Sequence, residues 1–197
     1  MGKVVATIVT ATLDKKKGRR TCELACRTAG VPCEIIVAYD KVVRGVTKNA
    51  NAGFRRALET EAQYIVYIVD DARCVQKDWL ERMIGVLESN PKYGIAAPSG
   101  RCRGTQSRGV PSMPPRAQVV SNLSFFCVVI KRELMEQIGL FDEGYIHYGQ
   151  DNDYCNRAKK AGWKCLWIQD VYVHHQPSSI IRKWKRADQA RYRKKWG

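Results

Sequence analysis

Two aspartates, Asp70 and Asp71, follow the apolar run YIVYIV. Paired carboxylates at the end of a buried strand offer hard oxygen ligands, the kind that hold Mg2+ or Mn2+. Such an ion bridges the two phosphates of a nucleoside diphosphate and stabilises charge growing on a leaving group. Paired acids at a strand end also serve as caps and loop anchors. A second acidic pair, Asp151 and Asp153, lies in YGQDNDYCNRAKKAGW and opens a helix, where the helix dipole favours carboxylates. One of these two reads as a helix cap, the other as a general base for a hydroxyl proton. His174 and His175 follow VYV at another strand end. A neutral imidazole there completes a metal site, its cation faces phosphate, and a surface histidine does neither.

These residues need elements to position them. Strands are expected at Lys3–Thr12, Glu34–Tyr39, Gln63–Val69 and Tyr93–Ala97, from their β-branched and aromatic content. Between them, helical spacing covers Thr21–Ala29, Thr47–Leu58 and Asp78–Glu88, with Lys15–Arg20 as a basic loop. Asp78 or a near neighbour caps the third helix. This alternation predicts an α/β fold with a mostly parallel sheet and helices on both faces. Ligands then sit at the carboxyl ends of the strands, where Asp40 and Asp70-Asp71 fall.

Beyond Ser99 the character changes. Residues 99–118 hold four arginines, three glycines, three prolines and no acid, which predicts an irregular loop. Val119–Ile130 returns to strand character, Glu133–Ile138 and Asp151–Ala161 are helical, and Cys165–Ile168 and Val171–Val173 are short strands. Ser178–Gly197 reads as a basic amphipathic helix carrying Ile180, Ile181, Trp184, Tyr192 and Trp196. Residues 1–177 therefore form one domain, with 178–197 packed on it or extending from it.

The chain has 197 residues and 45% hydrophobic content, enough for a folded core. It has no run of 18 apolar residues, and its first strand lacks the long apolar region of a signal peptide. The expected compartment is the cytoplasm. The eight cysteines show no C-x-x-C spacing and read as buried free thiols in a reducing setting. A net charge of +15 implies an anionic partner, whether nucleotide phosphates, an anionic membrane surface or nucleic acid.

The order of these pieces resembles the family 2 glycosyltransferases, especially the rhamnosyltransferase-like branch. The matching stretches are EIIVAYD, GVTKNANAGFRRAL, YIVYIVDDARCVQKDWLERMIGVLE, VIKRELMEQIGLFDEGYIHYGQDNDYCNRAKKAGWK, VYVHH and KKWG. They run in family order over nearly the whole chain, and IGLFDE followed by QDNDYCNRAKKAGW is the most specific. The resemblance implies a Rossmann-like GT-A fold, a nucleotide-diphosphate sugar donor and a divalent metal, Mn2+ or Mg2+. By the same resemblance, Thr10, Thr12 and Asp40 hold the donor's base and ribose, and Asn51 closes that pocket. Asp71 matches the last acid of the metal-binding motif with Asp70 beside it, and His174 matches a histidine that joins the metal or diphosphate. Asp151 matches the catalytic base, and Phe141, Asp142 and Glu143 match a segment that shapes the acceptor pocket. One base with no carboxylate nucleophile implies single displacement with inversion.

Three departures stand out. The acidic run is Val69-Asp70-Asp71-Ala72, Gln150 replaces the usual Glu before Asp151, and Phe125 stands where a small residue is common. The implied acceptor is a glycan, a lipid-linked glycan or nucleic acid, with the basic tail in peripheral contact with a membrane. The arginine-rich loop closes over the donor. Two other readings remain open: a non-enzymatic nucleic-acid-binding protein, and a degenerate family member that binds donor without transferring.

Overall fold

The computed structural model describes residues 3–41, 45–102, 105–108, 116–176 and 184–197. Its strands are β1 (Ala6–Thr12), β2 (Cys33–Tyr39), β3 (Tyr64–Ile68), β4 (Ala72–Arg73), β5 (Tyr93–Gly100), β6 (Ala117–Val120), β7 (Cys127–Lys131) and β8 (Lys164–His175). The helices are α1 (Lys15–Arg27), α2 (Val46–Ala57), α3 (Trp79–Glu88), α4 (Arg132–Ile138), α5 (Gln150–Lys160) and α6 (Lys185–Trp196). Strand order is β2-β1-β3-β7-β5-β8-β4, with β6 also on β8. β2, β1 and β3 run parallel, as do β5 and β8, while β7 is inserted antiparallel between β3 and β5. The sheet is thus mixed but mostly parallel.

Alternation along each strand builds two cores. Ala6 and Ile8 of β1 and Tyr64, Val66 and Ile68 of β3 face α1 and α3, whose Cys22, Ala25, Trp79, Leu80 and Met83 cover them. Val9, Ile65 and Tyr67 point the other way, under Phe54 of α2, Leu134 of α4 and Tyr154 of α5. Successive side chains of a strand leave on opposite faces, so one β-branched run feeds both cores.

Several boundaries differ from the sequence reading. The basic stretch Lys15–Arg20 is not a loop but the first turns of α1. Asp14 Oδ1 accepts from the amides of Lys16 and Lys17 at 3.0 Å each, which caps that helix. The strand expected at Val119–Ile130 is two, β6 and β7, which pair with different partners. The two short strands after Gly162 are one, β8, bent by a register shift opposite Pro98–Ser99. Asp78 does occupy the N-cap position of α3, though without a capping side-chain bond.

Part of the 99–118 segment is anchored. Buried Gln106 donates to Pro98 O at 3.0 Å and accepts from Ser124 N at 2.6 Å. Residues 103–104 and 109–115, where most of the expected loop closure falls, lie outside the described residues, as do Ile180 and Ile181 of the tail. No helix among the described residues is long and apolar enough to cross a membrane.

Candidate active site

Asp70 and Asp71 leave β3 in different directions. Asp70 faces the β1–α1 junction: its carboxylate accepts from the Thr12 hydroxyl at 2.6 Å and from Lys17 Nζ at 3.1 Å, while its carbonyl accepts from the Thr21 hydroxyl. Asp71 faces β8, where its Oδ1 lies 3.4 Å from His175 Nε2. The short β4–β8 pairing sets this contact by placing Ala72 opposite His175.

The histidine beside the acids is therefore His175, not His174. Adjacent strand residues point to opposite faces, so His174 is exposed and rests against the ring of Tyr172. The His175 ring is fixed on two sides. Its Nδ1 is 2.8 Å from Arg101 O, and its plane stacks on Phe126 with centroids 5.0 Å apart. A carbonyl only accepts, so Nδ1 carries the proton and Nε2 is the atom turned to Asp71. An imidazole so oriented by a backbone carbonyl is pre-set to offer its other nitrogen to a cation, and a carboxylate oxygen lies beside it. No group of three or more His, Cys, Asp or Glu ligands occurs among the described residues. The pair would offer a divalent cation one oxygen and one nitrogen ligand, a set that suits Mn2+.

Asp151 opens α5 behind Gly149, whose φ of 82° belongs to the left-handed region that glycine enters without strain. The carboxylate turns inward and accepts from the Asn152 amide at 2.8 Å and from the Phe125 amide. Burial pushes its pKa up, and the three backbone amides of Asn152, Asp151 itself and Phe125 offset only part of the shift. Asp153, the other acid of the pair, is fully buried and bonded to Arg157, Lys195 and Trp196 Nε1. Asp153 is the structural anchor, which leaves Asp151 as the base candidate.

Phe125–Phe126 ties these groups together. The Phe125 amide holds Asp151, Phe126 O accepts from Val69 N at 3.0 Å, and the Phe126 ring carries His175. Tyr67, on β3 beneath them, has a buried hydroxyl without a hydrogen-bond partner among the described residues. Burial raises its pKa, and the fields of Asp70, Asp71 and Asp151 raise it further. The three carboxylates thus lie within electrostatic range of one buried phenol.

The other expected site residues are placed differently. Thr10 and Thr12 are buried, and the exposed groups at these strand ends are Leu13 and Tyr39. Asp40 is 7% exposed, with its amide on Thr12 O. Asn51 is buried, 1% exposed. Its side chain donates to Phe141 O at 2.9 Å and to Glu143, and accepts from Phe141 N. Phe141 sits in the aromatic core with Phe54, Tyr67, Phe125 and Tyr154, so it lines no surface. Asp142 is bound by Arg191 and Lys195, and Glu143 by Arg55. Asp142–Glu143 thus fasten α6 and α2 to this segment.

A cavity of about 460 Å³ lies instead on the α6 side of Asp151, lined by His147, Tyr148, Gln150, Asn152, Gln189 and Tyr192 among others. The tail forms its wall through polar contacts, not through an apolar face. Asp188, 2% exposed, accepts from the amides of Ile146, His147 and Tyr148 at 2.9 Å each, and Tyr192 Oη accepts from Asn156 at 2.9 Å. Replacing Asp188 with alanine strips three amides of their acceptor and is expected to cost on the order of 3 kcal/mol. A urea-denaturation midpoint equal to wild type would show that those amides do not depend on it.

Sequence reading named the His174-His175 pair but, by resemblance, gave the role to His174, and it missed Tyr67 and Asp188. His175 had a signal, because it shares strand parity with buried Val171 and Val173. Tyr67 and Asp188 had none, since their roles come from contacts between distant elements.

This sheet, with an acid pair at the end of β3, an aspartate at the start of α5 and a histidine at the end of β8, is the GT-A fold of nucleotide-sugar glycosyltransferases. Two solved structures share it: GalNAc-T7 with UDP, GalNAc and Mn2+ (TM-score 0.67, 12% identity, 88% of this chain and 44% of that one) and S. aureus TarS in complex with UDP (TM-score 0.60, 13% identity, 89% and 61%). No family model matches the chain. Over 71 residues it is 35% identical to an N-acetylglucosaminyl-diphospho-decaprenol L-rhamnosyltransferase of Mycobacterium tuberculosis, a match spanning 36% of this chain and about a quarter (23%) of that relative. The solved structures share the fold, and the sequence likeness to the rhamnosyltransferase is confined to that stretch.

Proposed function

We propose that this chain transfers a sugar from a nucleotide-diphosphate donor to an acceptor hydroxyl, with a divalent metal and inversion at the anomeric carbon. The observation that carries this reading is the convergence of Asp71, Asp151 and His175 around Phe125–Phe126 and Tyr67. In this reading Asp71 and His175 hold the metal, while Asp70 stays on the donor side with Lys17, whose ammonium group faces phosphate. The metal, when bound, neutralises charge on the departing diphosphate. Asp151 takes the proton from an acceptor hydroxyl entering through the cavity beside α6. A single carboxylate base supports one displacement, hence inversion.

The names of similar proteins support the ligand classes: UDP and Mn2+ in one neighbour, UDP in another, and a decaprenol-linked acceptor in the curated relative. We carry over a lipid-linked saccharide as the acceptor class, with the cationic tail toward an anionic membrane surface.

The deciding experiment is a thermal-shift screen of nucleotide sugars with and without Mn2+. A ligand present at 100 times its Kd stabilises the folded state by about 2.7 kcal/mol. At least one sugar nucleotide is expected to raise Tm in Mn2+ and to lose that effect in chelator. A flat response across nucleotide sugars, with a Tm rise on duplex or single-stranded oligonucleotides, would replace this reading with nucleic-acid binding.

A further inference from the structure

The walls of the cavity beside Asp151 are mostly neutral. Gln150, Asn152 and Gln189 bring carboxamides to it. The Oε1 of Gln150 is buried and has no hydrogen-bond partner among the described residues. A buried acceptor left unpaired is costly, and a ligand hydroxyl supplies the missing donor. Three rings, His147, Tyr148 and Tyr192, complete the lining. His147 and Tyr148 meet edge to face, with centroids 4.9 Å apart and planes at 78°, and Trp184 backs His147 at 6.4 Å. These two rings offer a face and an edge, not the two parallel faces that clasp a flat base. Charge is scarce. The Asp188 carboxylate is taken up by three backbone amides. Burial lowers the His147 pKa and keeps that ring neutral at pH 7. The cation of the lining, Arg193, is exposed, and the remaining charge belongs to Asp151.

Resting on the transferase reading above, we propose that this cavity is the subsite for the acceptor's own saccharide, that it takes an uncharged sugar, and that Gln150 and Tyr148 are the residues that select it. A neutral sugar ring matches these walls group by group. Its hydroxyls both donate and accept, and a carboxamide answers with both functions. Its C–H face packs on an aromatic face, where the ring quadrupole is negative. An anionic sugar meets the Asp151 carboxylate instead, and a phosphate finds no buried cation to pair with. The volume of about 460 Å³ lies toward the lower end of the roughly 300–1,000 Å³ of small-ligand sites. That suits a short saccharide and leaves the lipid of a lipid-linked acceptor outside.

Gln150 opens α5 directly before Asp151, and both line the same cavity. A sugar hydroxyl held by the Gln150 carboxamide is thereby registered against the Asp151 carboxylate. A glutamate at position 150 would also accept from hydroxyls, but its charge beside Asp151 would push that carboxyl's pKa further up. The carboxamide reads hydroxyls without that repulsion.

Saturation-transfer NMR on the full chain, without donor, tests the assignment. The probes are octyl β-glycosides of glucose, galactose, mannose and N-acetylglucosamine, with octyl glucuronide as the charged control, all below their micelle concentrations. At least one neutral glycoside is expected to bind through its ring protons, and the glucuronide to bind more weakly than the glucoside. Gln150→Leu, Tyr148→Ala and Gln189→Ala should each weaken binding by about threefold to tenfold. Gln189 is exposed on α6, so its replacement leaves the fold intact. No bound neutral glycoside, saturation confined to the octyl chain, affinities untouched by all three changes, or a glucuronide bound as tightly as the glucoside would overturn the assignment. The transferase reading fails separately. Nucleotide sugars that leave Tm flat, beside glycosides that bind with the stated variant pattern, remove the transferase and keep a saccharide site. A Tm rise on nucleotide sugars with no bound glycoside does the reverse.

Discussion

Asp151→Asn is expected to lower the rate of sugar transfer by roughly 10²–10⁴-fold, the usual share of a positioned general base. Asparagine keeps the volume and one acceptor oxygen for the Asn152 and Phe125 amides, so the start of α5 should hold its shape. Donor affinity measured by calorimetry should stay within about threefold of wild type, because uniform binding is untouched. Transfer that survives in Asp151→Asn removes the residue from the base role.

The pH dependence has a definite sign. The carboxyl pKa is raised by burial, and the base acts only when deprotonated. The rate should fall on the acid side through a pKa above the ordinary aspartate range, and this limb should vanish in Asp151→Asn. Stability runs the other way. The unfolded chain deprotonates at the ordinary value, so the folded state loses stability as pH rises from there through the raised pKa. Asp151→Asn should therefore have a Tm equal to or above wild type at pH 7.

Asp71→Ala is expected to be as damaging by a different route. It removes the carboxylate that faces His175 and leaves an imidazole alone to hold the cation. Mn2+-dependent donor binding should weaken at least tenfold and transfer should drop on the order of 10²–10³-fold. Wild type in chelator should behave the same way. Asp70→Asn separates the two acids. It loosens Lys17 and Thr12 while leaving the Asp71–His175 pair, so Mn2+ dependence should persist. If Asp70→Asn loses Mn2+ dependence and Asp71→Ala retains it, the metal assignment is reversed.

The strand–helix alternation was legible because each element carries its own period. YIVYI lies buried on both faces of the sheet, and the apolar spacing of WLERMIGVLE fits one side of α3. The acid pair and the helix-opening aspartates were legible for a similar local reason: short polar residues at the ends of apolar runs stand out. Residue types near an element's end can be read from chain chemistry alone. What a side chain meets cannot, and Asn51 and Phe141 show why. Both fall within family-like stretches, yet one is consumed by hydrogen bonds to the other's backbone, 90 residues away.

Local sequence thus determined that there would be a layered α/β sheet with carboxylates at its strand ends. Tertiary structure decided where each member of a close pair points: Asp71 rather than Asp70 toward β8, His175 rather than His174 toward Asp71, and Asp153 rather than Asp151 into the ion pairs with Arg157 and Lys195. The reason is directional. Neighbours in sequence differ by a half-turn in a strand or about a quarter-turn in a helix, and only the register of a distant element selects the side that matters.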